Sequence, residues 1–266
     1  MRHLFIFFAL ITFSFAATGQ INWIYDKGEV QRKAKEEHKL IVMDFWAVWC
    51  GPCKKMDSDL WFTPEVSAIS DKFVAHKVDI DIDQVLARQY AIKGIPRVII
   101  VTPSGKKLWD KTGFGDPKEF IDILNGLPSD IEDVVLADKV LQEDKSDKAY
   151  FDAGMSYQAL AENTDHTALK NKMLDHSTSY LMKARKKSED EMTIQLAQLN
   201  QILNVALKGN AKKALKQLAK LNPNSNTKEF THFVRAYCYK CQGDEKSLES
   251  EKSKITDPEL LASLRN

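Results

Sequence analysis

Cysteine is scarce, with four residues in 266, which rules out the dense disulfide scaffolding of small secreted modules. Net charge is nearly absent, with 38 Lys+Arg against 37 Asp+Glu. That balance offers no broad attraction to nucleic acid or an anionic membrane, so no nucleic-acid partner is expected. The single basic run, Lys183 to Lys187, is followed by Glu189-Asp190-Glu191 and reads as a solvated helix face. Beyond residue 19 no apolar run is long enough to span a bilayer. The six histidines show no metal-binding spacing, and no metal is expected.

What the chain does contain is one dense stretch, Asp44-Phe45-Trp46-Ala47-Val48-Trp49-Cys50-Gly51-Pro52-Cys53-Lys54. The apolar run Leu40 to Met43 leads into it and reads as a buried strand. Lys54-Lys55-Met56 then opens a helical pattern. A strand that runs into Cys-x-x-Cys and on into a helix is a redox layout. The first cysteine of such a unit sits at a helix N-terminus, where free N–H groups and the dipole favour an anion. Its thiolate is therefore populated near neutral pH, and the thiolate is the nucleophile. The second cysteine follows about one helical turn later, within disulfide reach. Attack on a substrate disulfide falls to Cys50 and resolution to Cys53. Pro52 suits the first turn because it lacks an N–H that would go unpaired there. Two readings compete: a plain stapling disulfide, and half of a zinc site. Zinc would need two further ligands, and none lie nearby in sequence.

Trp-Cys-Gly-Pro-Cys-Lys after Asp-Phe-Trp-Ala resembles the signature of the thioredoxin family. Phe73 to Asp81 resembles that family's next strand, Tyr90 to Pro96 its cis-proline loop, and Lys111-Thr112-Gly113 its last glycine turn. The resemblance covers roughly residues 21 to 127. It implies an α/β fold, a central mixed sheet flanked by helices. It also implies that Asp44 is the buried acid exchanging a proton with Cys53, with Lys77 as its ion-pair partner. Trp49, Gly51, Pro52, Ile95, Pro96 and Gly113 fall where the family meets its substrates. An Ile95 backbone left free beside the disulfide would pair with an extended peptide. No cofactor is implied beyond the redox-active Cys50–Cys53 disulfide. The sequence departs from small thioredoxins after the cysteines, where their kink-forming proline is replaced by Asp57. The layout Cys-Lys-Lys-Met-Asp followed by Pro-Glu-Val is similar to the thioredoxin-like periplasmic domain of thiol–disulfide interchange proteins.

In chain order, residues 1–19 read as a secretion signal. Arg2 and His3 make a short basic start, Leu4 to Phe15 an apolar core, and Ala16-Ala17-Thr18-Gly19 a cleavage region. A retained N-terminal anchor is the competing reading. Ile21 to His38 is expected to be one amphipathic helix. Trp61 and Phe62 read as core residues, with an exposed partner surface as the alternative. Thr63, Asp83 and Asp116 read as helix N-caps. Leu127 to Asp130 marks a boundary between a thioredoxin-like domain, 20–127, and an all-helical domain, 128–266. There Gly209-Asn210 and Gly243-Asp244 stand 34 residues apart, which resembles degenerate tetratricopeptide repeats. A plain helical bundle is the alternative. Cys238 and Cys241 share a helix face. They read as packing thiols, as a local bridge, as a second redox pair exchanging with Cys50 and Cys53, or, least, as zinc ligands.

These features point to a thiol–disulfide oxidoreductase secreted across the inner membrane into the periplasm. It would act on protein disulfides and lean toward reduction. Nothing in the chain supplies electrons, so a membrane-bound donor is implied. Two other readings stand beside it: a platform whose helical domain binds a client protein, and a net oxidase or isomerase.

Overall fold

The computed structural model describes residues 21–265, so the segment read as a secretion signal lies outside the described residues. Five strands form one sheet: β1 (Trp23–Ile24), β2 (Leu40–Trp46), β3 (Phe73–Asp79), β4 (Arg97–Val101) and β5 (Lys107–Thr112). Their order is β1-β3-β2-β4-β5. β2 is central, parallel to β3 and antiparallel to β4, which pairs in turn with β5. The alternation of a pleated strand sends β2 side chains to opposite faces. Leu40 and Val42 join one cluster with Met56, Leu60 and Phe120. Ile41, Met43 and Phe45 join another with Val30, Ala34 and Leu86. A strand covered on both faces reads as a continuous apolar run, as this one does.

One cover comes from α1 (Lys27–Glu36). The other comes from α2 (Gly51–Met56), a π-helical turn (Asp57–Trp61), and α3 (Pro64–Ser67). α4 (Gln84–Gln89) lies with α1, and α5 (Pro117–Asn125) with α2. The expected caps form: Thr63, Asp83 and Asp116 accept from Val66, Leu86 and Lys118 N–H groups.

Two expectations need correction. Ile21 to His38 is not one helix. Trp23 and Ile24 pair with Ala75 and His76 as β1, and α1 starts only where Asp26 caps the Glu29 N–H at 2.7 Å. Trp61 is in the core, 1% exposed, but Phe62 is 59% exposed. The helix ends at that residue, and the chain turns outward to cap α3 through Thr63.

The remaining helices are α6 (Glu132–Glu143), α7 (Asp147–Glu162), α8 (Thr167–Lys187), α9 (Glu191–Leu207), α10 (Ala211–Leu218), α11 (Lys228–Gln242), α12 (Glu245–Lys252) and α13 (Pro258–Ser263). Residues after 127 are not loosely tethered. The Ile131 N–H donates to the His38 carbonyl at 3.0 Å, and Thr164 Oγ1 donates to the Gly126 carbonyl at 2.6 Å. The core on the α2 side continues through Leu127, Ile131 and Val134 to Tyr157 of α7 and Met173 of α8. A polar node fastens the same junction. Buried Asp138 of α6 accepts from Ser104 Oγ at 2.5 Å and from the Tyr157 hydroxyl at 3.1 Å, and pairs with Lys106 Nζ at 2.7 Å. A second core joins α9 to α13.

Replacing Asp138 with Ala strands a buried tyrosine hydroxyl and removes the ion-pair partner of Lys106. Stability should drop by about 2–4 kcal/mol, seen as a lower urea midpoint. An unchanged midpoint would show that the node does not hold the junction.

Candidate functional site

The strand order places the site. β2 ends at Trp46, and the chain turns through buried Ala47 and exposed Val48 and Trp49 before α2. The Cys50 N–H closes this turn onto the Ala47 carbonyl at 3.0 Å. Cys50 is the N-cap of α2, and its Sγ accepts from the Cys53 N–H at 3.2 Å. The two cysteines form a disulfide. Both are nearly enclosed, at 3% and 1% exposure, while Gly51 and Pro52 above them are exposed. Trp49 is 67% exposed, yet its indole N–H donates to Asp81 at 2.8 Å. That bond ties the cysteine turn to the chain leaving β3.

Ile95 and Pro96 form the loop beside the disulfide, joined by a cis peptide bond. Ile95 packs against the cluster of Ala47, Cys50 and Cys53. The Pro96 carbonyl accepts from the Gly113 N–H at 2.7 Å. Gly113 has φ +84°, a conformation that costs glycine little and other residues more. The structure thus brings Trp49, Gly51, Pro52, Ile95, Pro96 and Gly113 to the disulfide end of the sheet.

Inside the sheet, the parallel register sets Asp44 of β2 opposite Lys77 of β3. Lys77 Nζ lies 2.7 Å from Asp44 Oδ2 and 2.5 Å from Asp57 Oδ1. Lys77 also lies over the rings of Trp23, at 4.8 Å, and Trp46, at 5.4 Å. The Trp23 ring meets Trp61 edge-on at 5.2 Å. Lys77 is buried within β3. Asp44 Oδ1 has no partner. Burial raises the Asp44 pKa above the usual carboxylate range, and the Lys77 charge opposes the rise only in part. Burial works against the Lys77 ammonium, but Asp44 and Asp57 outweigh it and hold its pKa up. A carboxyl with a raised pKa is a suitable proton acceptor.

Asp57, Trp23 and Trp46 belong to this arrangement, and sequence reasoning assigned them no such part. One signal was available: Asp57 follows Cys53 by four residues, which places it on the same helix face. Cys238 and Cys241 lie elsewhere, on α11, and both are free thiols. Cys238 is buried in the second helical core, where burial pushes its thiol pKa up to about 12. A thiol held protonated is a poor nucleophile. No group of three or more His, Cys, Asp or Glu side chains suited to a metal ion comes together among the described residues.

The family model described as Thioredoxin matches residues 23–125. A thioredoxin of Bacillus subtilis is 34% identical over 86 residues, covering 32% of this chain and 79% of that one. The chain belongs to the thioredoxin family. Thioredoxin-2 of Pyricularia oryzae is 31% identical over 90 residues, covering 33% of this chain and 48% of that protein. The chain therefore spans about half the length of that relative. A solved thioredoxin of Malassezia sympodialis is 27% identical, with a TM-score of 0.33, covering 41% of this chain and 91% of that one.

The raised pKa of Asp44 gives a pH test. Protons bind Asp44 more tightly in the folded chain than in the unfolded one. Its contribution to stability therefore falls as pH rises from about 4 through the raised folded value. Asp44→Asn removes this loss, and Lys77 keeps Asp57 as a partner. Relative to the parent, the variant's urea midpoint should be higher at about pH 8 than at about pH 4. An equal difference at both would show that Asp44 ionises normally.

Proposed function

We propose that this chain is a thiol–disulfide oxidoreductase that reduces protein disulfides outside the cytoplasm. One observation carries the reading: Cys50 Sγ caps α2 on an end of the sheet whose interior holds the Asp44–Lys77 pair. In the dithiol form the Cys50 thiolate attacks one sulfur of a substrate disulfide. A mixed disulfide forms, and the other substrate sulfur leaves as a thiolate. Cys53 then gives its proton to Asp44 and attacks Cys50 Sγ. The Cys50–Cys53 disulfide forms, the second substrate sulfur leaves, and the substrate is reduced by two electrons.

Gly-Pro between the cysteines favours reduction, as in thioredoxin near about −270 mV, against about −120 mV for the strong periplasmic oxidant. Residues 1–19 direct export to the periplasm, and a membrane-bound dithiol partner returns electrons to the disulfide. The division at Leu127–Asp130 separates this chemistry from a helical domain. Gly209 and Gly243, both with positive φ, close α9 and α11 in the manner of tetratricopeptide-like hairpins.

Dithiothreitol-driven reduction of insulin, followed by turbidity, tests the assignment. Cys50→Ser should lower the rate at least about a hundredfold. Cys53→Ser should accumulate a mixed disulfide with the substrate, visible on a non-reducing gel. Normal turnover by Cys50→Ser would refute the assignment.

A further inference from the structure

The loop beside the disulfide begins where α4 ends, and that end carries a strained residue. The last turn closes with the Ile92 N–H on the Ala87 carbonyl at 2.9 Å and the Ala91 N–H on the Arg88 carbonyl at 3.0 Å. This paired pattern puts the residue just past the helix in the left-handed region, and glycine usually fills that position. Here it is Ala91, with φ +51°. Glycine adopts such a conformation freely, whereas a Cβ opposes it. A residue with a side chain stays there only when its surroundings hold it.

Arg97 supplies that hold. Its Nη1 donates to the Ala91 carbonyl at 3.1 Å. Its Nε and Nη2 donate to Oδ1 and Oδ2 of Asp110 on β5, at 2.7 and 2.6 Å. One edge of the guanidinium is thus spent on a carboxylate and the remaining nitrogen on the turn. Bidentate pairing of this kind fixes direction as well as charge. Burial works against the Asp110 carboxylate, but Arg97 and Lys107 outweigh it and hold its pKa below the usual carboxylate value.

Arg97 is also the first residue of β4 and follows Pro96 directly. Its backbone is fixed in the sheet, opposite Phe45 of β2 and Thr112 of β5. The side chain therefore holds the near end of segment 92–96, and the backbone holds the far end. Upstream, Tyr90 leans on the same Phe45 with ring centroids 5.9 Å apart. Ile95, inside the segment, packs on the cysteine cluster. A loop tied at both ends presents the Ile95 backbone in one place. Misplacement by about 1 Å at a reacting site can cost about a hundredfold in rate.

We infer that Arg97 is a positioning residue for exchange with protein disulfides: it holds the Ala91 turn, and through it the loop whose Ile95 backbone pairs with an extended substrate. The inference rests on the redox reading above and adds a substrate preference to it. A small disulfide has no peptide strand to pair, so its reduction does not depend on Arg97.

The test uses the full-length protein, reduced with dithiothreitol and desalted. It is mixed in a stopped-flow instrument with insulin or with cystamine, a small disulfide, and tryptophan fluorescence follows its oxidation. Arg97→Met should slow insulin reduction about tenfold and leave both the cystamine rate and the Cys50–Cys53 potential unchanged. Arg97→Lys should slow it as much, because an ammonium cannot reproduce the fork. With Ala91→Gly the turn needs no clamp, and adding Arg97→Met to that variant should slow insulin reduction by less than about threefold. Asp110→Asn loosens the guanidinium without touching the loop, and should slow insulin but not cystamine. Thermal melts check the fold of each variant, and Asp110→Asn carries the test if Arg97→Met does not fold. Insulin reduction at the parent rate by either Arg97 variant would overturn the inference. So would equal slowing on insulin and cystamine, or a full tenfold effect of Arg97→Met in the Ala91→Gly protein. A parent protein that reduces neither disulfide would refute the redox reading and this role together.

Discussion

Lys77 carries a positive charge inside a sheet, and the architecture around the disulfide follows from keeping it there. An unpaired ammonium at such a depth would be prohibitively costly. Here Asp44 and Asp57 reach it from two elements, and two indole rings lie against it. The register of β2 on β3 delivers Asp44, and the helical turn after Cys53 delivers Asp57. β1 is only two residues long, but it brings Trp23 into place. The pair is also asymmetric. Lys77 has two carboxylates, whereas Asp44 Oδ1 has no partner, so Asp44 is the member disposed to take up a proton. The proton transfer proposed for Asp44 would thus draw on the same charges that the fold must hold.

Much of the thioredoxin-like half was legible in local sequence. The run Leu40 to Met43, the Cys-x-x-Cys spacing and the caps at Thr63, Asp83 and Asp116 each depend on residues close in the chain. They formed where those residues lie. What was not legible depends on distant partners. Trp23 and Ile24 become a strand only because Ala75 and His76 offer an edge. Phe62 follows a buried tryptophan, and nothing local distinguishes the one that packs from the one that turns outward. The Asp138 node joins residues from three separate stretches, and no spacing rule announces it.

The helical region changes how the boundary after Leu127 is understood. Pro128 and its polar neighbours look like a linker, but Ile131, Val134 and Tyr157 extend the sheet-side core across it. Helices fixed in this way hold their surfaces at a set position relative to the disulfide. An enzyme with a fixed second surface can select among disulfides by what surrounds them, whereas one on a free tether gains only effective concentration. Of the two cysteines of α11, Cys238 packs in the second helical core and Cys241 is exposed.

The equilibrium reduction potential of the Cys50–Cys53 pair, titrated in dithiothreitol buffers with Cys50→Ser as the blank, tests the central claim most directly. A buried acid and lysine behind a Gly-Pro disulfide should give a value near about −270 mV, that of a reductant. A value near about −120 mV would contradict the account, because electrons would then flow from substrate thiols to this disulfide.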